Sequence, residues 1–325
     1  MHLHSVPILR GFTPARLMSL SFVLLLAGGC AKASAVAPLP SPQVIGGPGK
    51  GDGLFHQPRA ITALADGSCV VIDRSGRVQC FDADGGVRTS FSLPEYSNGQ
   101  PIDCTASPWG TLLVADTHYA RVIEFTFEGV ELRRIGVGSG LEIVRGIAVG
   151  LDETIYVADY GAEDRVHRFD RAGNHLGTLG RRGEGEGEFL RPEGLAIGEG
   201  GDLFVIDCGH HRVLRFRPDG TYVSTFGEFG DEDGHFTFPM DITATPDGTL
   251  YVVDFQGNRV QRFSADGTCL GVFGGAGYGK GRLATPRGVA VNQTDAGDRI
   301  YVADTNNHRV QSFLWPRTGK RARGG

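Results

Sequence analysis

The sequence has few of the residues that mark specialised sites. Its 325 residues include 6 cysteines, 3 methionines and 2 tryptophans, and no two cysteines stand in a CxxC arrangement. A zinc ribbon or a RING-type site, which needs paired cysteines, is therefore not predicted. The motifs G-x-S-x-G and H-E-x-x-H and the P-loop are missing as well, so no serine-hydrolase elbow, zincin helix or nucleotide-binding loop is indicated.

Positive charge and long apolar runs are also scarce. The formal net charge is −5, whereas proteins that bind nucleic acid through phosphates usually carry a basic surplus. After Cys30, no stretch approaches the roughly 20 apolar residues of a membrane-spanning helix. Because 40% of the residues are hydrophobic, the chain can still bury a sizeable core. We expect a folded protein that does not bind nucleic acid.

The one apolar run lies near the N-terminus and has the layout of an export signal. Arg10 and Arg16 precede the apolar segment 17–27, and no acidic residue occurs before Cys30. Positive charge, a short apolar segment and then small residues are the features of a secretory signal peptide. The ending LAGGC (26–30) resembles a bacterial lipobox, and the resemblance implies lipidation at Cys30.

The lipobox resemblance sets the expected location. It implies a lipid anchor in the bacterial cell envelope, and Ala31 after the cysteine implies the outer membrane if the cell has two membranes. We expect a signal peptide over 1–29, and the lipidated cysteine with a tether over 30–41. The alternative is ordinary cleavage, which would make the protein secreted.

Five cysteines remain after Cys30, so at least one thiol would stay free. Export permits disulfides, and Cys69 and Cys80 flank a predicted hairpin on which they could be neighbours. The simpler interpretation is that all five are small buried apolar side chains. These five are Cys69, Cys80, Cys104, Cys208 and Cys269.

Six internal repeats dominate the chain. Each has a run of branched and aromatic residues that ends in Asp, then a polar turn, then a second run that begins with Arg-Val. Such pairs of runs predict β-hairpins. The closing aspartates follow one another at intervals of 43 to 50 residues. They are Asp73, Asp116, Asp159, Asp207, Asp254 and Asp304.

A shorter apolar segment precedes each hairpin, and a further one follows most of them. The preceding segments are 60–64, 102–106, 146–150, 194–198, 241–245 and 288–292. Four short strands in each repeat of 40 to 50 residues are typical of a propeller blade. The last repeat ends near Trp315-Pro316 after three strands, and QVIGG (43–47) can supply the fourth.

The repeats therefore predict an all-β fold, a six-bladed β-propeller of four-stranded antiparallel blades. An N-terminal strand that joins the C-terminal blade would close the ring, which pairs both terminal edges. We expect the propeller over 42–316 and a basic tail over 317–325.

The repeat pattern resembles the NHL repeat family. Proline, glycine and an apolar segment come first, then Asp-Gly with a strand that ends in Asp, then Asn/His-Arg-Val-x-x-Phe. The resemblance covers all six repeats and implies the propeller fold. It leaves the activity open, because NHL propellers include enzymes and surfaces that bind sugars, proteins or RNA.

The aspartate and arginine of each hairpin are predicted to be structural. They recur in all six repeats, whereas an active site should be unique. We expect them to cap and orient the hairpins by hydrogen bonding, with an ion pair as part of the arrangement. The pairs are Asp73/Arg77, Asp116/Arg121, Asp159/Arg165, Asp207/Arg212, Asp254/Arg259 and Asp304/Arg309.

The residues at the start of each first strand vary, and they are the candidate ligand-binding positions. First strands line the central channel, so these side chains are expected near its rim. The candidates are Arg59, Asp103, Arg145, Glu193, Asp241 and Arg287. The three arginines and the glutamate favour an anionic or zwitterionic ligand. Asp103 and Asp241, in opposite blades, could hold a cation through water. The alternative is that these charges pair with one another or are solvated.

The residues at these first-strand positions also bear on whether the protein is an enzyme. In NHL-like amidating lyases, metal-binding histidines follow the proline that begins the first strand, and no histidine occupies the matching positions here. We predict a non-catalytic lipoprotein without a cofactor, whose propeller rim recognises an envelope or extracellular protein, peptide or glycan. The alternative is a metal-assisted enzyme, a lyase or a lactone or ester hydrolase, with a divalent cation such as Ca²⁺ or Zn²⁺.

Overall fold

The computed structural model describes residues 39–95 and 101–317. The predicted signal peptide, Cys30, most of the tether and all of the basic tail except Arg317 lie outside the described residues. Within the described ranges, no helix is long and apolar enough to cross a membrane. The helical segments there are single 3-10 turns at Thr117–Tyr119, Glu199–Gly201, Cys208–His210 and Thr305–Asn307.

The described residues form six antiparallel sheets of four strands each. Blade 1 contains β2 (Pro58–Ala63), β3 (Cys69–Asp73), β4 (Arg77–Phe81) and β5 (Val87–Ser92). Blade 2 contains β6 (Pro101–Ala106), β7 (Leu112–Asp116), β8 (Arg121–Phe125) and β9 (Glu131–Ile135). Blade 3 contains β10 (Val144–Val149), β11 (Ile155–Asp159), β12 (Arg165–Phe169) and β13 (His175–Leu179).

Blade 4 contains β14 (Pro192–Ile197), β15 (Leu203–Asp207), β16 (Arg212–Phe216) and β17 (Tyr222–Phe226). Blade 5 contains β18 (Pro239–Ala244), β19 (Leu250–Asp254), β20 (Arg259–Phe263) and β21 (Cys269–Gly274). Blade 6 contains β22 (Val289–Thr294), β23 (Gly297–Asp304), β24 (Arg309–Pro316) and β1 (Gln43–Ile45). The prediction of a six-bladed propeller is confirmed.

The N-terminal strand closes the ring as expected. β1 pairs antiparallel with β24, with Gln43 opposite Ser312 and Ile45 opposite Val310. In blades 1, 3, 4 and 5 the first strand begins two residues before the apolar segment that predicted it. In blade 2 it begins one residue before that segment. In blade 1 the pairing skips a position between Pro58 and Ala60, and a strand continues across such a bulge.

The hydrophobic core is divided into six clusters, each between two neighbouring blades. One cluster joins Val70 and Ile72 of blade 1 to Val114 and Ile123 of blade 2. The other five occupy the remaining interfaces in the same way. Branched residues on both faces of the inner strands fill these interfaces, which suits strands that are buried on both sides.

The glycine-rich linkers before blades 1, 4, 5 and 6 fold back on themselves. A bridge inside each linker buries one large apolar side chain completely: Phe55, Phe189, Phe236 and Leu283. Gly46 begins the first linker at φ 74°, and a Cβ there would lie 2.5 Å from the Phe55 ring. Glycine is therefore required where the linker folds over its own buried side chain.

The five cysteines in the described ranges are free thiols. Cys69 lies opposite Phe81 and Cys80 lies opposite Val70, so the two cysteines point to opposite faces of the hairpin. Burial raises the pKa of Cys69 to about 12 and that of Cys80 to about 11. Cys269 is half-buried and the other four are buried, close to the simpler interpretation of the sequence.

Candidate functional site

In blades 1, 3, 4, 5 and 6, the recurring aspartate of the hairpin binds the segment that leads into the first strand. Asp207 accepts a hydrogen bond from the Leu190 amide at 2.7 Å, and Asp304 accepts one from the Ala284 amide at 2.7 Å. The aspartate thus caps backbone donors that no strand partner satisfies.

The recurring arginine binds the same aspartate and the linker. Arg309 donates from Nε to Asp304 at 2.8 Å and from Nη2 to the Gly279 and Arg282 carbonyls at 2.7 and 3.0 Å. The ion pair forms in five blades: Arg77–Asp73, Arg121–Asp116, Arg212–Asp207, Arg259–Asp254 and Arg309–Asp304. In the blades with glycine-rich linkers, this unit fastens the linker to the hairpin.

Blade 3 departs from the expected ion pair between Asp159 and Arg165. The Arg165 Nε donates instead to the His167 Nε2 at 3.1 Å, and His167 lies 3.4 Å from the Asp159 carboxylate. The linker before this blade (136–143) contains three glycines but none of the isolated bridges that the other four linkers form, and the Arg165 Nη2 donates to the Gly140 carbonyl at 3.3 Å. Buried His167 stands where blades 1, 5 and 6 have Gln79, Gln261 and Gln311, and its Nδ1 lies 3.1 Å from the His175 Nε2.

The six candidate ligand-binding residues meet at one end of the central channel. They line a constriction with about 20 Å³ of free space, which is room for one or two water molecules. We call it the mouth, and its lining is Arg59, Ile102, Asp103, Arg145, Gly146, Glu193, Gly194, Met240, Asp241 and Arg287. A cavity of about 230 Å³ lies inside the ring, and Asp103 and Asp241 line both spaces.

Asp103 and Asp241 connect neighbouring blades. Asp103 accepts hydrogen bonds from the next residue's amide at 2.8 Å and from the Ile147 amide of blade 3 at 2.9 Å. Asp241 does the same at 2.8 Å, with the second bond from Val289 of blade 6. Burial raises the pKa of Asp103 to about 7. Burial and the charge of Asp103 raise the pKa of Asp241 well above its usual range.

Arg145 and Glu193 form a two-pronged ion pair at the mouth. The Arg145 Nε lies 2.6 Å from one carboxylate oxygen, and Nη2 lies 2.9 Å from the other. Although burial opposes the charge, Glu193 raises the pKa of Arg145. Tyr160 lies beneath the Arg145 guanidinium at 5.2 Å. The charge of Glu193, which is 1% exposed, is therefore already matched within the protein.

Arg287 has a different environment. Its guanidinium stacks on the Phe255 ring at 4.7 Å, and over residues 39–95 and 101–317 it has no carboxylate partner. Burial, with the positive charges of Arg145 and Arg74, lowers the pKa of Arg287. Its donors therefore face the mouth with an unmatched positive charge.

A second ring of residues, which was not predicted from the sequence, surrounds the mouth. Arg191 lies 5.3 Å from the Tyr160 ring and 3.9 Å from Glu193. Arg74, Tyr160 and Phe255 each follow the closing aspartate of their hairpin. That position varies between repeats, and this variation would have identified them.

Metal-ligating side chains do not cluster in the described part of the chain. No group of three or more His, Cys, Asp or Glu side chains in the described ranges could hold a metal ion. Both oxygens of Asp103 and of Asp241 accept backbone amides, and a cation held by the two carboxylates through water stays a prediction. His56 and His308 of adjacent blades lie 6.0 Å apart between ring centroids, a pair that the sequence analysis missed.

The sequence profile of the NHL repeat family matches residues 189–216 and 283–313. These ranges include the first three strands of blade 4 and, in blade 6, β22, β23 and the first five residues of β24. Two of the six blades therefore match the NHL repeat in sequence, and the described residues form a six-bladed propeller. No curated protein matches the sequence significantly.

Solved structures share this fold at low sequence identity. A streptogramin B lyase is 13% identical with a TM-score of 0.61, over 84% of this chain and 96% of that one. A gluconolactonase from Xanthomonas campestris is 15% identical with a TM-score of 0.62, over 85% and 99%. A chain of a nidogen–laminin complex is 18% identical with a TM-score of 0.58, over 72% and 85%. Such identities establish the fold alone.

Proposed function

We propose that this six-bladed NHL-repeat propeller is a non-catalytic binding module that recognises an anionic group of a protein, peptide or glycan partner at its mouth. The observation that carries the proposal is the unmatched guanidinium of Arg287 at the channel axis. Five arginines surround the mouth, Arg59, Arg74, Arg145, Arg191 and Arg287, and we call them the mouth arginines. In a chain of net charge −5, this local positive charge would attract anions selectively.

The size of the mouth limits what can enter it. With about 20 Å³ of free space, it admits the anionic group and little else. The rest of a partner would lie across the rim, where the linkers expose Phe229 (69% exposed) and Tyr278 (83% exposed). Exposed aromatic side chains are enriched in protein interfaces, so the rim offers contact area around the charged centre.

The proposed setting is the cell envelope. Lipidation at Cys30 would anchor the chain, and the tether over 30–41 spans at most about 40 Å when fully extended. The propeller would then stay near a membrane surface, in the outer membrane if the cell has two, and meet envelope or extracellular partners.

The test is binding by the full-length protein, purified in detergent, to probes that differ only in charge. Oligogalacturonates are paired with their methyl esters, and peptides with a free C-terminus are paired with their amides. We expect binding of the acidic member of at least one pair, and weaker binding at higher salt because exposed charges are screened.

Two variants locate the binding. Arg191→Gln combined with Arg287→Gln should weaken binding at least tenfold. Arg217→Gln is the matched control, because Arg217 is exposed after β16, at the rim opposite the mouth. Equal binding of acidic and neutral probes, or an unchanged affinity in the double variant, would contradict the proposal.

The metal-assisted enzyme stays an alternative prediction, since the lyase and the gluconolactonase share this fold. Elemental analysis of the full-length protein tests it. One calcium or zinc ion per chain, lost in an Asp241→Asn variant, would favour that alternative.

A further inference from the structure

The inner ring of the propeller repeats itself after three blades. The residues that line the mouth in blades 2 to 4 have counterparts in blades 5, 6 and 1. The matched pairs are Ile102 with Met240, Asp103 with Asp241, Arg145 with Arg287, Gly146 with Gly288, Gly194 with Ala60, and Glu193 with Arg59. Only the last pair differs in charge.

The hydrogen bonds between blades confirm this correspondence. Asp103 accepts from the Ile147 amide at 2.9 Å, and Asp241 accepts from the Val289 amide at 2.8 Å. Each aspartate also accepts from the amide of the residue that follows it, at 2.8 Å. The backbone therefore takes the same course at both places.

The close approach of backbones supports the same correspondence. A Cβ added to Gly146 would lie 2.2 Å from the Glu193 carbonyl oxygen, and one added to Gly288 would lie 2.5 Å from the Arg59 carbonyl oxygen. Gly146, which follows Arg145, thus contacts the backbone of Glu193. Gly288, which follows Arg287, contacts the backbone of Arg59 in the same way. The two halves differ in the side chain that this contact places beside the arginine.

In the first half, the Glu193 carboxylate binds Arg145 through two hydrogen bonds. In the second half, the corresponding position holds a second guanidinium, and Arg287 has no carboxylate partner among the described residues. We propose, building on the function above, that Arg287 and Arg59 form a subsite for one carboxylate group of the ligand. This carboxylate would take the place beside Arg287 that Glu193 takes beside Arg145.

The subsite favours a carboxylate over a larger anion for two reasons. The free space of about 20 Å³ suits a planar group with two oxygens. A guanidinium matches those two oxygens with two parallel N–H donors, as Arg145 does with Glu193. A peptide C-terminus and a uronic acid both carry this group, so either can supply it.

The central test is Arg59→Glu, which places a carboxylate where the first half of the ring has one. The new Glu side chain should pair with Arg287 and fill the subsite. We expect the Tm to rise by about 2–4 °C and the affinity for benzoate to fall at least tenfold. Arg217→Glu, with the same change of charge on the opposite rim, should leave both quantities unchanged.

The probes for the full-length protein are benzoate, the neutral amide benzamide, and phenylphosphonate. We expect benzoate to bind, and benzamide not to bind. N-acetylalanine and galacturonate, as competitors of benzoate, then distinguish a peptide C-terminus from an acidic sugar. Tighter binding of phenylphosphonate than of benzoate would overturn the carboxylate assignment.

The remaining outcomes separate this inference from the proposed function. If Arg59→Glu binds benzoate as the wild type does, or has a lower Tm, the subsite assignment is wrong. If that variant does not fold, Arg287→Gln must lose benzoate binding, and retention overturns the subsite. Acidic oligosaccharides or peptides that still bind a subsite variant would leave the proposed function standing without this subsite. A wild-type protein that does not bind benzoate overturns the subsite as well.

Discussion

Arg145 binds both carboxylate oxygens of Glu193, at 2.6 and 2.9 Å, across the interface between blades 3 and 4. This pair neutralises one side of the channel mouth. On the opposite side the corresponding residues are Arg287 and Arg59, both positively charged. The mouth is therefore asymmetric in charge although its backbone is nearly symmetric. An anion would be attracted to the side that carries Arg287 and Arg59.

Removing the carboxylate of this pair should destabilise the protein. In Glu193→Gln, the Arg145 side chain, only 11% exposed, would keep its charge without a partner. We expect the free energy of unfolding to fall by about 3 kcal/mol, as measured by denaturant titration. Glu153→Gln breaks the exposed pair with Arg171 and should cost less than about 1 kcal/mol. Equal losses in the two variants would contradict this account.

A methyl group added at the inner ring should also destabilise the protein. In Gly146→Ala, the added Cβ would lie 2.2 Å from the Glu193 carbonyl oxygen, so the two inner strands must separate. We expect a loss of about 1–3 kcal/mol in the free energy of unfolding. Gly279→Ala is the control, because nothing lies within 4 Å of its Cβ position. A harmless Gly146→Ala would show that the ring is more loosely packed than the structure indicates.

The buried carboxylates should make stability depend on pH. Burial raises the pKa of folded Asp103 to about 7, whereas an unfolded aspartate titrates near 3.9. The folded protein thus holds a proton that the unfolded chain releases, and this stabilisation is lost as the pH rises from about 4 to 7. Asp103→Asn should flatten the decrease in unfolding free energy over that range. Asp295 is exposed, so Asp295→Asn should keep the wild-type slope of unfolding free energy against pH. The same slope in the Asp103→Asn and Asp295→Asn variants would refute the assignment of this pH dependence to Asp103.

Lipidation at Cys30 remains a prediction from the sequence. In a bacterial host, the full-length chain should incorporate radiolabelled palmitate and sediment with membranes. Cys30→Ser should abolish the label and move the propeller to a soluble fraction, while Cys269→Ser should change neither. Labelling that persists in Cys30→Ser would place the anchor elsewhere.

Much of the fold could be predicted because each blade is coded locally. A strand that ends in Asp and a following strand that begins with Arg, as at Asp254 and Arg259, predict a hairpin from local sequence alone. The number of times this pattern repeats gives the number of blades. The first-strand positions were predictable for the same reason, since the channel lies where first strands meet. The missing ion pair of blade 3 was not predictable, because it depends on the linker length and on how His167 packs.

The sequence alone determined the repeats, the blade count, the closure of the ring and the six positions around its axis, because these follow from short-range pattern and chain order. Only the tertiary structure decided the state of each charge at those positions. Asp103 and Asp241 bind backbone amides of the next blade, Glu193 is taken up by Arg145, and Arg287 keeps its charge unmatched. These outcomes depend on side chains from blades more than 40 residues apart, whose approach is set by the closed ring and not by any local pattern.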